Sequence, residues 1–203
     1  ILVFLTGQQE IDLVVTAIKQ LSPVNPFYEF ALDVHPLYAS LSSKERQCAF
    51  EEPFNSVTTR KCVIATNIAE TSLTIANVVY VIDCGLAKQK VYCASKGVEM
   101  LGIGGISKAS VKQRVGRAGR VKPGKAYHLY TRNGFLSFPN ETRAEMLRSG
   151  LLSETLSMLA LGLANPLAFD FIDAPNEMTM ARALNTLYDL EALDENARIT
   201  ELG

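Results

Sequence analysis

The run Gln113-Arg114-Val115-Gly116-Arg117-Ala118-Gly119-Arg120 has residue types and spacing suited to phosphate chemistry. Gly116 and Gly119 let backbone approach a ligand closely. Arg117 and Arg120 lie three positions apart, so on a helical turn they share a face. Two guanidinium forks on one face suit the oxygens of a transferring phosphate, whose charge must be neutralised in the transition state. An arginine so placed raises a phosphoryl-transfer rate by roughly 10³–10⁵. The plainer alternative is a generic anion site or a solvated basic face. Every charged residue from Lys108 to Lys125 is basic, the chain turns acidic after Glu141, and the net charge is only −1. A basic run inside a neutral total points to a localised site for phosphate or nucleic acid.

A second cluster is Thr66-Asn67-Ile68-Ala69-Glu70-Thr71-Ser72-Leu73-Thr74-Ile75, directly after the strand-like Lys61–Ala65. Hydroxyls, an amide and unpaired backbone N–H groups at a strand's carboxyl end can hold backbone phosphates without reading bases. The same residues would also serve as caps for a short helix, and the two readings stand level on these residues alone.

Other chemistries fit less well. Gly119–Ala126 nearly matches the P-loop pattern, but Ala126 lacks the hydroxyl that would hold Mg²⁺, Pro123 stiffens the loop, and a strand is expected to follow. The four cysteines, Cys48, Cys62, Cys84 and Cys93, form no C-x-x-C pair and read as reduced thiols. His35 and His128 sit in strand-like runs and read as structural.

The elements that must position these groups alternate. Strands are expected at Ile1–Leu5, Val34–Tyr38, Lys61–Ala65, Val78–Ile82 and Lys125–Thr131. Helices are expected at Gln8–Leu21, stopped by Ser22-Pro23, after Ser42 or Ser43, and at Ser107–Gly116. Such alternation predicts a parallel sheet sandwiched by helices, with ligands beyond the carboxyl ends of the strands. Lys88–Tyr92 and Val98–Ile103 flank Ala94-Ser95-Lys96-Gly97 and read as an inserted β-hairpin. Helices at Met146–Leu163 and Met178–Leu193 and a small strand at Ile199-Thr200 are expected beyond a boundary near 140–165. With 203 residues, 48% apolar and 20% charged, the chain has the profile of one globular domain plus the start of another. No apolar run nears the roughly 20 residues that span a bilayer. The opening run Ile1–Leu5 reads as a strand within a longer chain rather than as a signal peptide.

Taken together, Leu5-Thr6-Gly7-Gln8-Gln9-Glu10-Ile11, Thr66–Ile75 and Gln113–Arg120 resemble motifs IV, V and VI of the DEAH-box RNA helicases, in that order and at suitable spacing. Asp83–Tyr92 resembles the segment that follows motif V. The resemblance covers nearly the whole chain. It implies an α/β fold in which residues 1–142 form the second RecA-like domain, a parallel sheet covered by helices with an inserted hairpin. Residues 143–203 would be a helical extension and the start of a winged-helix domain. It further implies that Gln113, Arg117 and Arg120 reach the phosphates of ATP (or another NTP) across a cleft. Phe50, Thr74 and Gly116 would contact the nucleotide, with Phe50 stacking on the base. Thr6, Gly7, Thr66, Asn67 and Thr71 would lie along an RNA backbone. The Mg²⁺ ligands would come from the first RecA-like domain, since no Asp-Glu-x-His occurs here.

Expected partners are RNA, the first RecA-like and C-terminal domains of the same chain, and an activating protein, with no membrane. Pre-mRNA splicing or ribosome biogenesis, and hence a nuclear location, are the settings the resemblance suggests. The family often carries Asp-Gly after the motif V isoleucine; Ala76-Asn77 stands there instead, which removes a carboxylate from the ribose side. The rival reading is a non-catalytic RecA-like module that binds RNA or protein.

Overall fold

The computed structural model describes residues 1–21, 31–52, 58–71, 75–93, 96–120 and 122–203. The expected stop at Ser22-Pro23, the hairpin residues Ala94 and Ser95, and Thr74 lie outside them. The chain divides into two compact units, one of Ile1–Lys88 with Ile103–Thr142, the other of Gln89–Gly102 with Arg143–Gly203.

The strands are β1 (Leu2–Phe4), β2 (Ala31–Leu37), β3 (Thr59–Ala65), β4 (Tyr80–Asp83), β5 (Leu86–Cys93), β6 (Val98–Gly105) and β7 (Lys125–His128). In the first unit five of them form one sheet in the order β2-β3-β1-β4-β7, every neighbouring pair parallel. The sheet is covered on both faces, which explains the continuous apolar runs. Leu2, Phe4, Val63, Ala65 and Val81 point to one face and pack with Leu37, Ala49, Ala69 and Ala118. Val3, Val34, Cys62 and Ile64 point to the other and meet Ile11, Val15, Tyr38 and Leu41. Each fully buried Leu, Ile or Phe contributes about 1.5–3 kcal/mol.

Helix α1 (Gln8–Leu21) lies on the second face through Ile11 and Val15, one turn apart. Leu21, expected on that stripe, is 65% exposed at the final turn. Helix α2 (Ser43–Cys48) opens with a reciprocal capping box between Ser42 and Glu45. Helix α3 (Lys108–Gly116) is capped by Ser107. The expected strand Lys125–Thr131 ends at His128, because the Thr131 hydroxyl accepts from Gly134 N and starts helix α4 (Arg132–Ser137).

In the second unit the expected helix Met146–Leu163 is broken. A 3-10 turn spans Glu145–Leu147, and helix α5 covers only Leu152–Ala160. Leu151 stands between them at φ 59°, a left-handed conformation that a right-handed helix cannot contain. Burial of its side chain with Met180 and Ala183 offsets that cost. Helix α6 (Glu177–Asp189), capped by Asn176, packs on α5. The small strand at Ile199 appears as a single antiparallel bridge to Leu193. No helix among the described residues is long and apolar enough to cross a membrane.

Candidate functional site

Parallel pairing brings two of the expected loops together. Phe4 sits opposite Ala65 in the β1–β3 register, and Leu5 N donates to Ala65 O at 2.9 Å. Thr6-Gly7 and Thr66-Asn67 therefore leave the sheet side by side at its carboxyl edge. A 3-10 turn, Asn67–Ala69, follows Thr66, whose side chain makes no capping hydrogen bond. The helix-capping reading of this cluster thus fails for Thr66, its most obvious cap. Asn67 and Thr71 are exposed. Gly7 is buried, and a Cβ there would fall 2.5 Å from Lys88 Nζ. The missing side chain is what lets this ammonium group lie against the loop, a neighbour that sequence reasoning missed.

The helix behind the arginine run is fixed by a buried ion-pair network. Arg114 is fully enclosed; its Nη1 donates to Asp83 Oδ1 at 2.6 Å and its Nε to Glu70 Oε2 at 3.1 Å. Its guanidinium also lies 4.7 Å from the centre of the Phe4 ring. Asp83 accepts in turn from Gly85 N at 2.9 Å and from the Tyr130 hydroxyl at 3.1 Å. That hydroxyl contacts His128 Nδ1 at 2.8 Å, which gives His128 the structural place expected of it. Burial, then the Asp83 charge, pushes the Tyr130 phenol well above its ordinary range. Sequence reasoning had Arg114, Glu70 and Asp83 inside its motifs without a role for any of them. Asp83, the lone acid at the end of the apolar strand Tyr80–Asp83, was the legible signal of a buried partner.

The two arginines of this run differ in burial. Helix α3 ends at Gly116, and Arg117 is its C-cap. The Arg117 side chain is 7% exposed; its Nε donates to Glu70 O at 2.9 Å, and its Nη2 donates to the same carbonyl. Arg120 and Gln113 are exposed. Arg120 is thus at the surface, and Arg117 is folded against the Thr66–Thr71 loop. Burial, then the neighbouring Arg120 charge, lowers the Arg117 pKa. A Cβ on Gly116 or Gly119 would meet nothing within 4 Å, so no side chain of the described chain requires glycine at either place.

Phe50 is half-buried. It packs on the core cluster of Ala49, Ala69 and Ala118, and it also lines a cavity of about 550 Å³. Glu52, Lys61, Ala76, Asn77 and Lys122 share that cavity. The volume falls in the range of small-molecule sites. The cavity is bordered by Thr59 and Tyr80, the first residues of β3 and β4, so it lies at the amino edge of the sheet and not at the carboxyl edge expected for ligands. Asn77 has φ 57°, the conformation that glycine adopts readily, and its Nδ2 donates to Glu52 Oε1 at 3.0 Å. Asn77 thus holds a backbone conformation that a glycine at this position could also adopt. Past Gly119 the chain enters the strand Lys125–His128, which removes the P-loop reading of this segment. Among the described residues no three His, Cys, Asp or Glu groups are arranged to hold a metal ion.

Comparison with known proteins agrees with the resemblance. Residues 1–122 match the family described as the helicase conserved C-terminal domain, and residues 183–203 match the winged-helix helicase-associated domain. The chain is 43% identical, over 99% of its length, to a probable ATP-dependent RNA helicase DHX35 from Pongo abelii, and 42% identical to the Homo sapiens protein of the same description. It spans only 28% and 29% of those curated relatives. The crystal structure of the E. coli DExH-box NTPase HrpB superposes over 98% of this chain and 24% of its own, with TM-score 0.79 and 31% identity. The RecA-like parallel sheet expected from the sequence is the fold observed.

Proposed function

The chain belongs to the family of helicase conserved C-terminal domains, and we propose that it is the second half of an ATP-driven RNA helicase motor. In this reading a first RecA-like domain of the full-length protein presents ATP, with Mg²⁺ held by that domain's carboxylates. Gln113, Arg117 and Arg120 meet the phosphates, and Phe50 receives the base. Thr6, Gly7, Thr66, Asn67 and Thr71 follow the RNA backbone. The observation that carries the reading is the tie between the two loops: Glu70, inside the Thr66–Thr71 segment, binds Arg114 by its carboxylate and Arg117 by its carbonyl. A polynucleotide loop and a phosphate-ligating turn joined through one residue are what a motor needs to link RNA binding to hydrolysis. Closure brings the arginines to the nucleotide only when ATP is present, so the gain in contacts drives the closed state.

The burial of Arg117 favours the rival, a module that binds without catalysis. Turnover separates the two. In the full-length protein Arg117→Ala and Arg120→Ala should each cut ATP hydrolysis by roughly 10³-fold or more, while nucleotide affinity largely survives. A full-length protein that hydrolyses no ATP would leave the binding module standing; unchanged hydrolysis in both variants would refute the assignment of the two arginines.

A further inference from the structure

We infer that Glu70 is a positioning residue that withholds Arg117 from the nucleotide until the Thr66–Thr71 loop is occupied. The inference rests on the reading of Arg117 as a phosphate ligand. Arg114 is immobile: its side chain is fully enclosed and bonded to Asp83, Glu70 and, at 3.4 Å, to Leu86 O. The Glu70 carboxylate, 11% exposed, grips this anchor and so fixes the position of its own main chain. The carbonyl of that main chain takes both Nε and Nη2 of Arg117. An arginine whose Nε–Nη2 edge is committed to a carbonyl cannot offer that edge to a phosphate at the same time.

The exchange is favourable once it is allowed. A phosphate oxygen is a charged acceptor, and hydrogen bonds to it are about twice as strong as those to a neutral carbonyl. What prevents the exchange is the grip on the loop. Thr66, Asn67 and Thr71 lie within four positions of Glu70, so a backbone phosphate seated on them pulls directly on the Glu70 main chain. A shift of about 1 Å takes a hydrogen bond of ordinary length beyond its limit. RNA on the loop thereby releases Arg117, and the nucleotide that captures Arg117 holds the loop in its RNA-bound position. The two effects are reciprocal, as linkage requires.

The test is Glu70→Gln in the full-length protein, assayed for ATP hydrolysis without RNA and with saturating single-stranded polyuridylate. Glutamine keeps an acceptor for Arg114 Nε and removes the ion pair, so the anchor weakens while the volume is retained. We expect hydrolysis without RNA to rise roughly tenfold, the loss of one charge-assisted bond. The polyuridylate-saturated rate should stay within about twofold, so the stimulation ratio collapses. A merely structural role would lower both rates together, and that result, or an unchanged ratio, overturns the inference. If Glu70→Gln does not fold, Arg114→Lys loosens the same anchor and carries the same expectation. Arg117→Ala run in parallel keeps the failures apart. If that variant hydrolyses ATP normally, the reading of Arg117 as a phosphate ligand itself falls; if it is inactive while Glu70→Gln keeps the ratio, only this inference does.

Discussion

Arg114 and Asp83 form an ion pair in which neither side chain has any exposure, with Nη1 and Oδ1 2.6 Å apart. Removing one partner of such a pair leaves a buried charge uncompensated, which costs about 3–5 kcal/mol. Arg114→Met should therefore shift the urea unfolding midpoint strongly downward. Exposed Lys112→Met should change the unfolding free energy by no more than about 0.5 kcal/mol. Equal effects at the two positions would contradict the enclosed network.

Tyr130 gives this network a pH signature. Its pKa is raised in the folded chain, by burial first and by Asp83 second, from an ordinary value of 10.0. A group whose folded pKa is raised contributes stability that is complete below the unfolded pKa and lost as pH rises through the folded one. Stability should thus fall above about pH 10, and Tyr130→Phe should flatten that fall because phenylalanine has no proton to lose. Urea titrations at pH 8 and pH 11 measure both slopes; parallel slopes would remove Tyr130 from the account.

Asn77 tests whether the loop beside the cavity needs its left-handed backbone. At φ 57° an alanine is disfavoured by about 1–2 kcal/mol, whereas glycine and asparagine are tolerated. Asn77→Gly should leave the unfolding midpoint close to that of the parent, and Asn77→Ala should lower it. If both variants fell by the same amount, the amide bond to Glu52, which both remove, would be the controlling feature of the loop.

Much of this was legible in the residues. The 3.6-residue period of Ile11 and Val15 gave helix α1 with its bounds, because an amphipathic helix on a sheet writes its face into the sequence. The continuous apolar runs of β1 and β3 gave central strands buried on both sides. Three things were not legible. The break at Leu151 is set by tertiary burial that overrides a good helical pattern. The cavity beside Phe50 lies at the amino edge of the sheet, where a rule about carboxyl edges does not look. The folding of Arg117 onto Glu70 O depends on a main-chain carbonyl, which carries no side-chain signal at all. Spacing placed Arg117 and Arg120 three residues apart; it could not show that one would be buried and the other exposed.

The central claim is most directly tested by a crystal structure of the full-length protein with single-stranded RNA and ADP–aluminium fluoride, a mimic of the transferring phosphate. The account predicts the guanidiniums of Arg117 and Arg120 within hydrogen-bond distance of the fluoride, and the Glu70 carbonyl released from Arg117. Arg117 still bonded to Glu70 O, with the fluoride touched by neither arginine, would contradict it.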